Sequence, residues 1–305
     1  KVKSGRCSYQ FACYHDGGMI SDGLLLRLNN DKFWFAQGDG HLFSWYKAHS
    51  INLDVEINDP NVWVSQIQGP KSLKLLNKIV DEPLENKFNY FDWIETSIAY
   101  EKVIISRTGF TNELGWEIYL RPENDSKKIG DLILEKGKEM GMILTASPGF
   151  RCRRIEAGLL SAGRDFTKDR TPFSVGLGKF IDFNKGEFIG RNFLKNANKE
   201  CLTWGMRVEG SYAVVDSDIL IDNKKVGIVT SSTWSPYQVC GVSIVHMNSK
   251  EYGPETEVKV LCDDGEYHNA EICNLPMYDP DGDIPRGLKE DIPSGPSPWK
   301  GILKN

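Results

Sequence analysis

The stretch Ser106-Arg-Thr-Gly-Phe-Thr-Asn-Glu-Leu-Gly-Trp-Glu-Ile-Tyr-Leu120 decides how the rest of the chain is read. A β-rich run, Lys102-Val-Ile-Ile-Ser106, leads into it, and another, Trp116-Glu-Ile-Tyr-Leu120, closes it. Gly109, Asn112 and Gly115 between them are turn residues, so the stretch reads as a long hairpin-like connection. Side chains alternate along a strand, which puts Glu117 and Tyr119 on one face and Ile118 on the other. An acid among β-formers has two explanations. Either that face meets water, or something donates hydrogen bonds to the carboxylate. On the strand alone, the solvated face is the commoner outcome.

Working back from this stretch, residues 6–15 read as a strand carrying Tyr9, Phe11 and Tyr14. The Asp16-Gly17-Gly18 turn and the apolar run after it signal a hairpin, with Phe33–Ala36 as the next strand. Residues 40–49 look helical, with Leu42, Phe43, Trp45 and Tyr46 as the buried side. Val62–Gln68 reads as a strand, and Gly69-Pro70 opens a helix in which Leu73, Leu76 and Ile79 recur at helical spacing.

Working forward, Asp125-Ser126 caps a helix with Ile129, Leu132, Ile133 and Leu134 as its stripe. Pro148 opens another, expected over 149–162, holding Arg151, Arg153, Arg154 and Glu156. Three arginines so close cannot all face a core, and at least two are expected on a solvated face with local Arg/Glu pairs. After Cys201 short β-rich runs alternate with turns, a spacing that suggests a small β-barrel or sandwich. The reading is therefore an α+β body over 1–200, a β module over 201–276, and a Pro/Gly-rich surface wrap or tail over 277–305.

Composition bounds the function classes. With 305 residues, 40% of them hydrophobic, the chain can build a large core. Net charge is −5 and no basic block stands out, which argues against nucleic acid and anionic membrane as partners. No apolar run approaches a membrane span, and Lys1 is not followed by a signal-peptide pattern. Seven scattered cysteines without CxxC pairs argue against disulfides and structural zinc, so a reduced compartment, cytoplasmic or an organelle matrix, is expected.

Most familiar chemistry finds no footing. The chain has no Walker A loop, no GxGxxG after a strand, no GxSxG elbow, and only isolated histidines. What remains is acids in unusual company. Asp22 lies between a Gly-Gly turn and Leu24-Leu-Leu26, either as a hairpin residue or as a carboxylate aimed into a cavity. Glu117 is the second acid. The two oxygens of a carboxylate match a ring N–H and a neighbouring amino group, an edge that pterins present. Phe110 and Tyr119 could cover the flat faces of such a ring.

At these residues the chain resembles the glycine-cleavage T-protein, or aminomethyltransferase, family, including its dimethylsulfoniopropionate demethylase relatives. The resemblance is carried by SRTGFTNELGWEIYL, RIEAGLLSAGRDF, TPFSVGLGKFIDFNKGEFIGR and GIVTSSTWSP, with DGGMISDGLLL and QGPKSLKLL adding to it. It implies three domains arranged as a clover leaf around a central tetrahydrofolate site, the last a small β-barrel. Members usually have a further segment before the point matching residue 1, so the resemblance implies a start short of theirs.

Carried over residue by residue, the family's pterin-binding glutamate matches Glu117 and its essential aspartate matches Asp22. The aromatic after SRTG matches Phe110, and Tyr119 follows the glutamate. The family's folate-binding arginine falls on Phe150 here, with Arg151 beside it as the candidate substitute. That departure, and the absence of the C-terminal tyrosine pair in LPMYDPDGD, favours a methyl donor over the lipoyl aminomethyl arm. The implied activity is tetrahydrofolate-dependent one-carbon transfer from a small methylated sulfonium or ammonium compound or an aminomethyl donor. A lipoyl carrier protein is the less favoured partner. Trp234 in SSTWSP could face a methylated cation, or equally be a barrel core residue. The rivals are a non-catalytic folate-binding protein of the iron–sulfur maintenance type and the folate half of a flavin-dependent amine demethylase. Glu187 stands where the former carries cysteine, and no flavin motif supports the latter.

Overall fold

The computed structural model describes residues 2–84, 88–145, 147–289 and 295–301. The first sheet is antiparallel, with β1 (Cys7–Cys13), β2 (Met19–Arg27) and β3 (Phe33–Ala36) in that order. The expected turn joins β1 to β2. Gly17 sits there at φ 77°, a conformation only glycine adopts without strain, and the Gly18 N–H donates to the Asp16 carboxylate at 3.1 Å. α1 (Leu42–His49) follows. Of its expected buried side only Leu42 is buried; Phe43 is exposed. Trp45 and Tyr46 instead pack edge-on against the rings of Tyr14 and Phe35, which leaves them half-covered.

The second sheet holds the opening stretch. It is built from β4 (Trp63–Gln68), β5 (Trp93–Ile98), β6 (Glu101–Ser106) and β7 (Gly115–Leu120), in the order β4-β7-β6-β5. α2 (Ser72–Ile79) and α3 (Ser126–Glu139) belong to the same unit. Ile67, Trp116 and Ile118 pack with Leu76, Ile79 and Ile129, so this sheet face and the two helices enclose one core. Asp125 caps α3 as expected, accepting from the Lys128 N–H at 3.0 Å. Leu73 and Leu134, both read as stripe residues, are exposed; the neighbouring Leu75 takes the inward position on α2.

α4 (Ser147–Glu156) ends well short of 162. Gly158 turns the chain at φ 68°, and a Cβ there would lie 2.8 Å from that of Leu275. α5 (Arg191–Asn196) leads to the β module. Its strands are β8 (Thr203–Val208), β9 (Asp218–Ile221), β10 (Lys224–Ser235), β11 (Cys240–Met247), β12 (Glu257–Leu261) and β13 (Tyr267–Cys273). They close into a barrel in the order β10-β11-β8-β13-β12-β9, filled by residues such as Met206, Ile219, Val229 and Val260. The fold is thus α+β with a closed C-terminal barrel. The outer side of β10 and β11 is not bare. Cys240, Val242 and Ile244 pack with Ile155, Phe166 and Met19, tying the barrel to α4 and the first sheet.

The segment after the barrel is held down where it is described. Tyr278 and Ile284 are buried, the latter in α6 (Asp283–Arg286), and the Trp299 N–H donates to the Gln238 carbonyl at 2.8 Å. Residues 290–294 and 302–305 of the expected wrap lie outside the described residues. All seven cysteines are unpaired, and burial pushes the Cys7 thiol up to about 12, which leaves it unreactive.

Candidate active site

Two sheet faces meet at the centre. Cross-strand pairing puts Cys7, Leu26 and Trp34 in one row of the first sheet, and Ile104 and Tyr119 in one row of the second. These residues pack together, with the Trp34 and Tyr119 rings 6.2 Å apart. Both acids singled out from the sequence lead away from this patch. Glu117 is next along the same face of β7, and Asp22 lies beyond Leu24 on the matching face of β2.

Glu117 occupies a central strand. It pairs with Gln66 of β4 on one side and Ser106 of β6 on the other, so no edge exposes it. The Thr108 hydroxyl donates to its Oε2 at 2.5 Å and is itself bonded to the Ser106 hydroxyl at 2.5 Å; the Tyr119 hydroxyl stands 3.5 Å from the same oxygen. Burial pushes the Glu117 carboxyl above its ordinary range, against the pull of the Thr108 and Tyr119 hydroxyls. Yet the residue keeps partial accessibility. A group that is both desolvated and partly open is sheltered from bulk water rather than standing on the outer surface. The solvated-face outcome expected from the strand alone is therefore overturned, because the first sheet and the 108–113 loop cover that face.

Asp22 has the same character. Burial raises its carboxyl, the Tyr9 hydroxyl opposes this by donating to Oδ2 at 2.6 Å, and Asp165 and Asp39 push it further up. Tyr9 is fixed edge-on against Phe180 at 5.5 Å.

The contrast with the other buried acids is decisive. Asp165 is fully buried and pairs with Arg154 at 2.7 Å, accepting also from Thr230 and Ser231 of β10 at 2.7 Å each. Glu156, also fully buried, pairs with Arg153, which reaches Glu113 with its other amino group and lies over the Tyr278 ring at 4.2 Å. These acids tie α4 to the barrel and the 108–113 loop, and each carries its own cation. Among the described residues neither Asp22 nor Glu117 has an ion-pair partner. A desolvated carboxylate without a cation is costly to a fold and useful to a ligand.

Phe110 stands 38% exposed beyond Gly109, whereas Tyr119 is 2% exposed and packed on Trp34, a floor under Glu117. Arg151 is exposed on α4. The expectation that two of the three arginines would be solvated is corrected: Arg153 and Arg154 both turn inward, because Glu113, Glu156 and Asp165 meet them there. Trp234 pairs with Gly241 and alternates with Ser231 and Ser235, which face Asp165 and Glu156; its own side chain stands on the other strand face. Sequence reasoning missed Tyr9, Thr108 and Tyr90. Burial raises the Tyr90 hydroxyl, with Arg286 lowering and Glu117 raising it. Tyr9 lies on β1, while Thr108 and Tyr90 lie in connecting segments, and nothing in their local pattern marks them, because the acids that act on them are brought in from other parts of the chain.

Comparison with known proteins agrees with the fold described above. Residues 1–185 match the GCVT N-terminal domain and residues 204–279 the glycine cleavage T-protein C-terminal barrel domain. An aminomethyltransferase from Caldanaerobacter subterraneus subsp. tengcongensis is 31% identical over 270 residues, covering 85% of this chain and 72% of that protein. One from Thermosipho melanesiensis is 31% identical over 293 residues, covering 91% and 77%. The crystal structure of glycine cleavage system aminomethyltransferase T from Bartonella henselae superposes with a TM-score of 0.81 at 20% identity, covering 92% of this chain and 78% of that one, a likeness of fold. With the two domain matches spanning most of its length and relatives at this identity, the chain belongs to the glycine-cleavage T-protein family of tetrahydrofolate-dependent aminomethyltransferases.

Proposed function

We propose that the sheltered region beside Asp22 and Glu117, where the two sheets meet, binds tetrahydrofolate by its pterin ring and that the protein transfers a one-carbon group to it. The observation that carries this reading is the pair of desolvated carboxylates, Asp22 and Glu117, without cations of their own. Tetrahydrofolate, when bound, supplies a nucleophilic nitrogen that takes the carbon from a donor carrying its own leaving group. The chain does the rest by positioning and electrostatics. Glu117 accepts the ring N–H and amino hydrogens, Tyr119 supports it from below, and Phe110 closes on the ring's face. Asp22, oriented by Tyr9, holds the folate nitrogens or a cationic donor where positive charge is redistributed.

The relatives' name points to an aminomethyl donor. The finer reading is a small methylated sulfonium or quaternary ammonium compound. It is supported by Phe150 standing at the family's arginine position, with exposed Arg151 as its candidate replacement; Trp234, on the far face of β10, lends it no support. We further propose that 1–200 forms the folate body, 201–276 the barrel, and 277–305 the wrap. The test is turnover of purified protein with tetrahydrofolate and either methylated sulfonium and ammonium compounds or an aminomethyl-lipoyl carrier. Formation of methyl-tetrahydrofolate from the first group supports the finer reading; methylene-tetrahydrofolate only from the carrier rejects it. Ligand binding without turnover on any donor rejects the transferase.

A further inference from the structure

The strand beside Glu117 carries a polar side chain that the proposed grip leaves unexplained. Gln66 of β4 is the direct cross-strand partner of Glu117. Such partners stand on the same face with Cβ atoms about 5 Å apart. Its amide is held in place: Nε2 donates to the Gln68 Oε1 at 3.0 Å, and the Thr111 hydroxyl donates to that same oxygen at 2.5 Å. The 108–113 loop leaves room for it. A Cβ on Gly109 would lie 2.4 Å from the Gln66 nitrogen, so any larger residue there would displace the amide. An amide nitrogen has two N–H groups, and Gln68 takes one.

A pterin edge presents two donors, the ring N–H and the amino group, and next to them an acceptor, the 4-oxo oxygen. A carboxylate satisfies the donors and repels the acceptor. A donor fixed beside the carboxylate completes the match. Among the described residues, the hydrogen bonds given to Glu117 by Thr108 and Tyr119 both fall on Oε2, so Oε1 remains to accept from the ring. We propose that Gln66 donates to the 4-oxo oxygen of the ring that Glu117 holds and thereby selects 4-oxo over 4-amino pterins. The inference rests on the Glu117 reading above.

The test is equilibrium binding of tetrahydrofolate and of its 4-amino counterpart to the wild-type protein, Gln66→Leu, Gln66→Ala and Glu117→Gln. Both Gln66 variants are expected to lose about tenfold in affinity for the 4-oxo ring and to keep their affinity for the 4-amino ring, with melting temperature unchanged. The difference between the wild-type and variant ratios isolates the amide's share. An unchanged ratio in both Gln66 variants, while Glu117→Gln still loses tetrahydrofolate, overturns the role of Gln66 alone. Full affinity in Glu117→Gln overturns the anchor and this inference with it. Two variants guard against one failing to fold.

Discussion

Replacing Glu117 by glutamine removes a charge that burial disfavours while keeping the side chain's shape. Because its carboxyl is raised in the folded protein, Glu117 favours folding below the unfolded-state value near 4, and that contribution is lost as pH rises through the folded value. The ligand-free Glu117→Gln protein is therefore expected to melt higher than wild type at pH 8, by about 2–4 °C. The gap closes on acidification, as calorimetry across pH would show, while tetrahydrofolate affinity is lost. Thr108→Val removes the hydroxyl that holds Oε2; tetrahydrofolate is expected to bind about tenfold more weakly, with Thr108→Ser restoring it in the same titration. At this scale the sequence was half legible. Glu117 and Asp22 could be named because each sits in a recognisable motif. Thr108, Tyr9 and Gln66 could not, because their meaning depends on which strand lies opposite and in what register, and local pattern does not state that.

Elements were easier to read than their partners. Turn residues and caps located β1, β2, α2 and α3 to within a few residues, since glycine conformation and Asp125 capping are local physics. α4 shows the limit. Arg151 and Arg154 are about one turn apart and a helical period hardly separates them. What separates them is Asp165 and Ser231, contributed from elsewhere in the chain, which claim Arg154 and leave Arg151 in water. Arg154→Met would leave Asp165 buried without a cation and is expected to cost about 3–5 kcal/mol in urea denaturation. Adding Asp165→Asn to that variant is expected to recover part of the loss, because the neutral amide can keep accepting from Thr230 and Ser231.

For the whole molecule, the three sheets pack on one another: Leu26 of the first meets Tyr119 of the second, and Met19 of the first meets Val242 of the barrel, while Asp22 comes from the first sheet and Glu117 from the second. A ligand gripped by both acids is expected to stabilise the chain as one unit. Tetrahydrofolate at about a hundred times its dissociation constant should add about 2.7 kcal/mol, read as a single shifted melting transition; two transitions, only one of them shifted, would contradict this. One feature of the barrel also bears on solubility. A ring of strands has no first or last member, so β8–β13 offer no unpaired ladder on which another polypeptide could extend. In the second sheet β5 is bridged by the segments around Arg6 and Val80, whereas the terminal strand β4 at the other end is not so protected and shows Trp63 to water. Unwanted strand-to-strand recruitment would begin there, leaving the barrel a bystander.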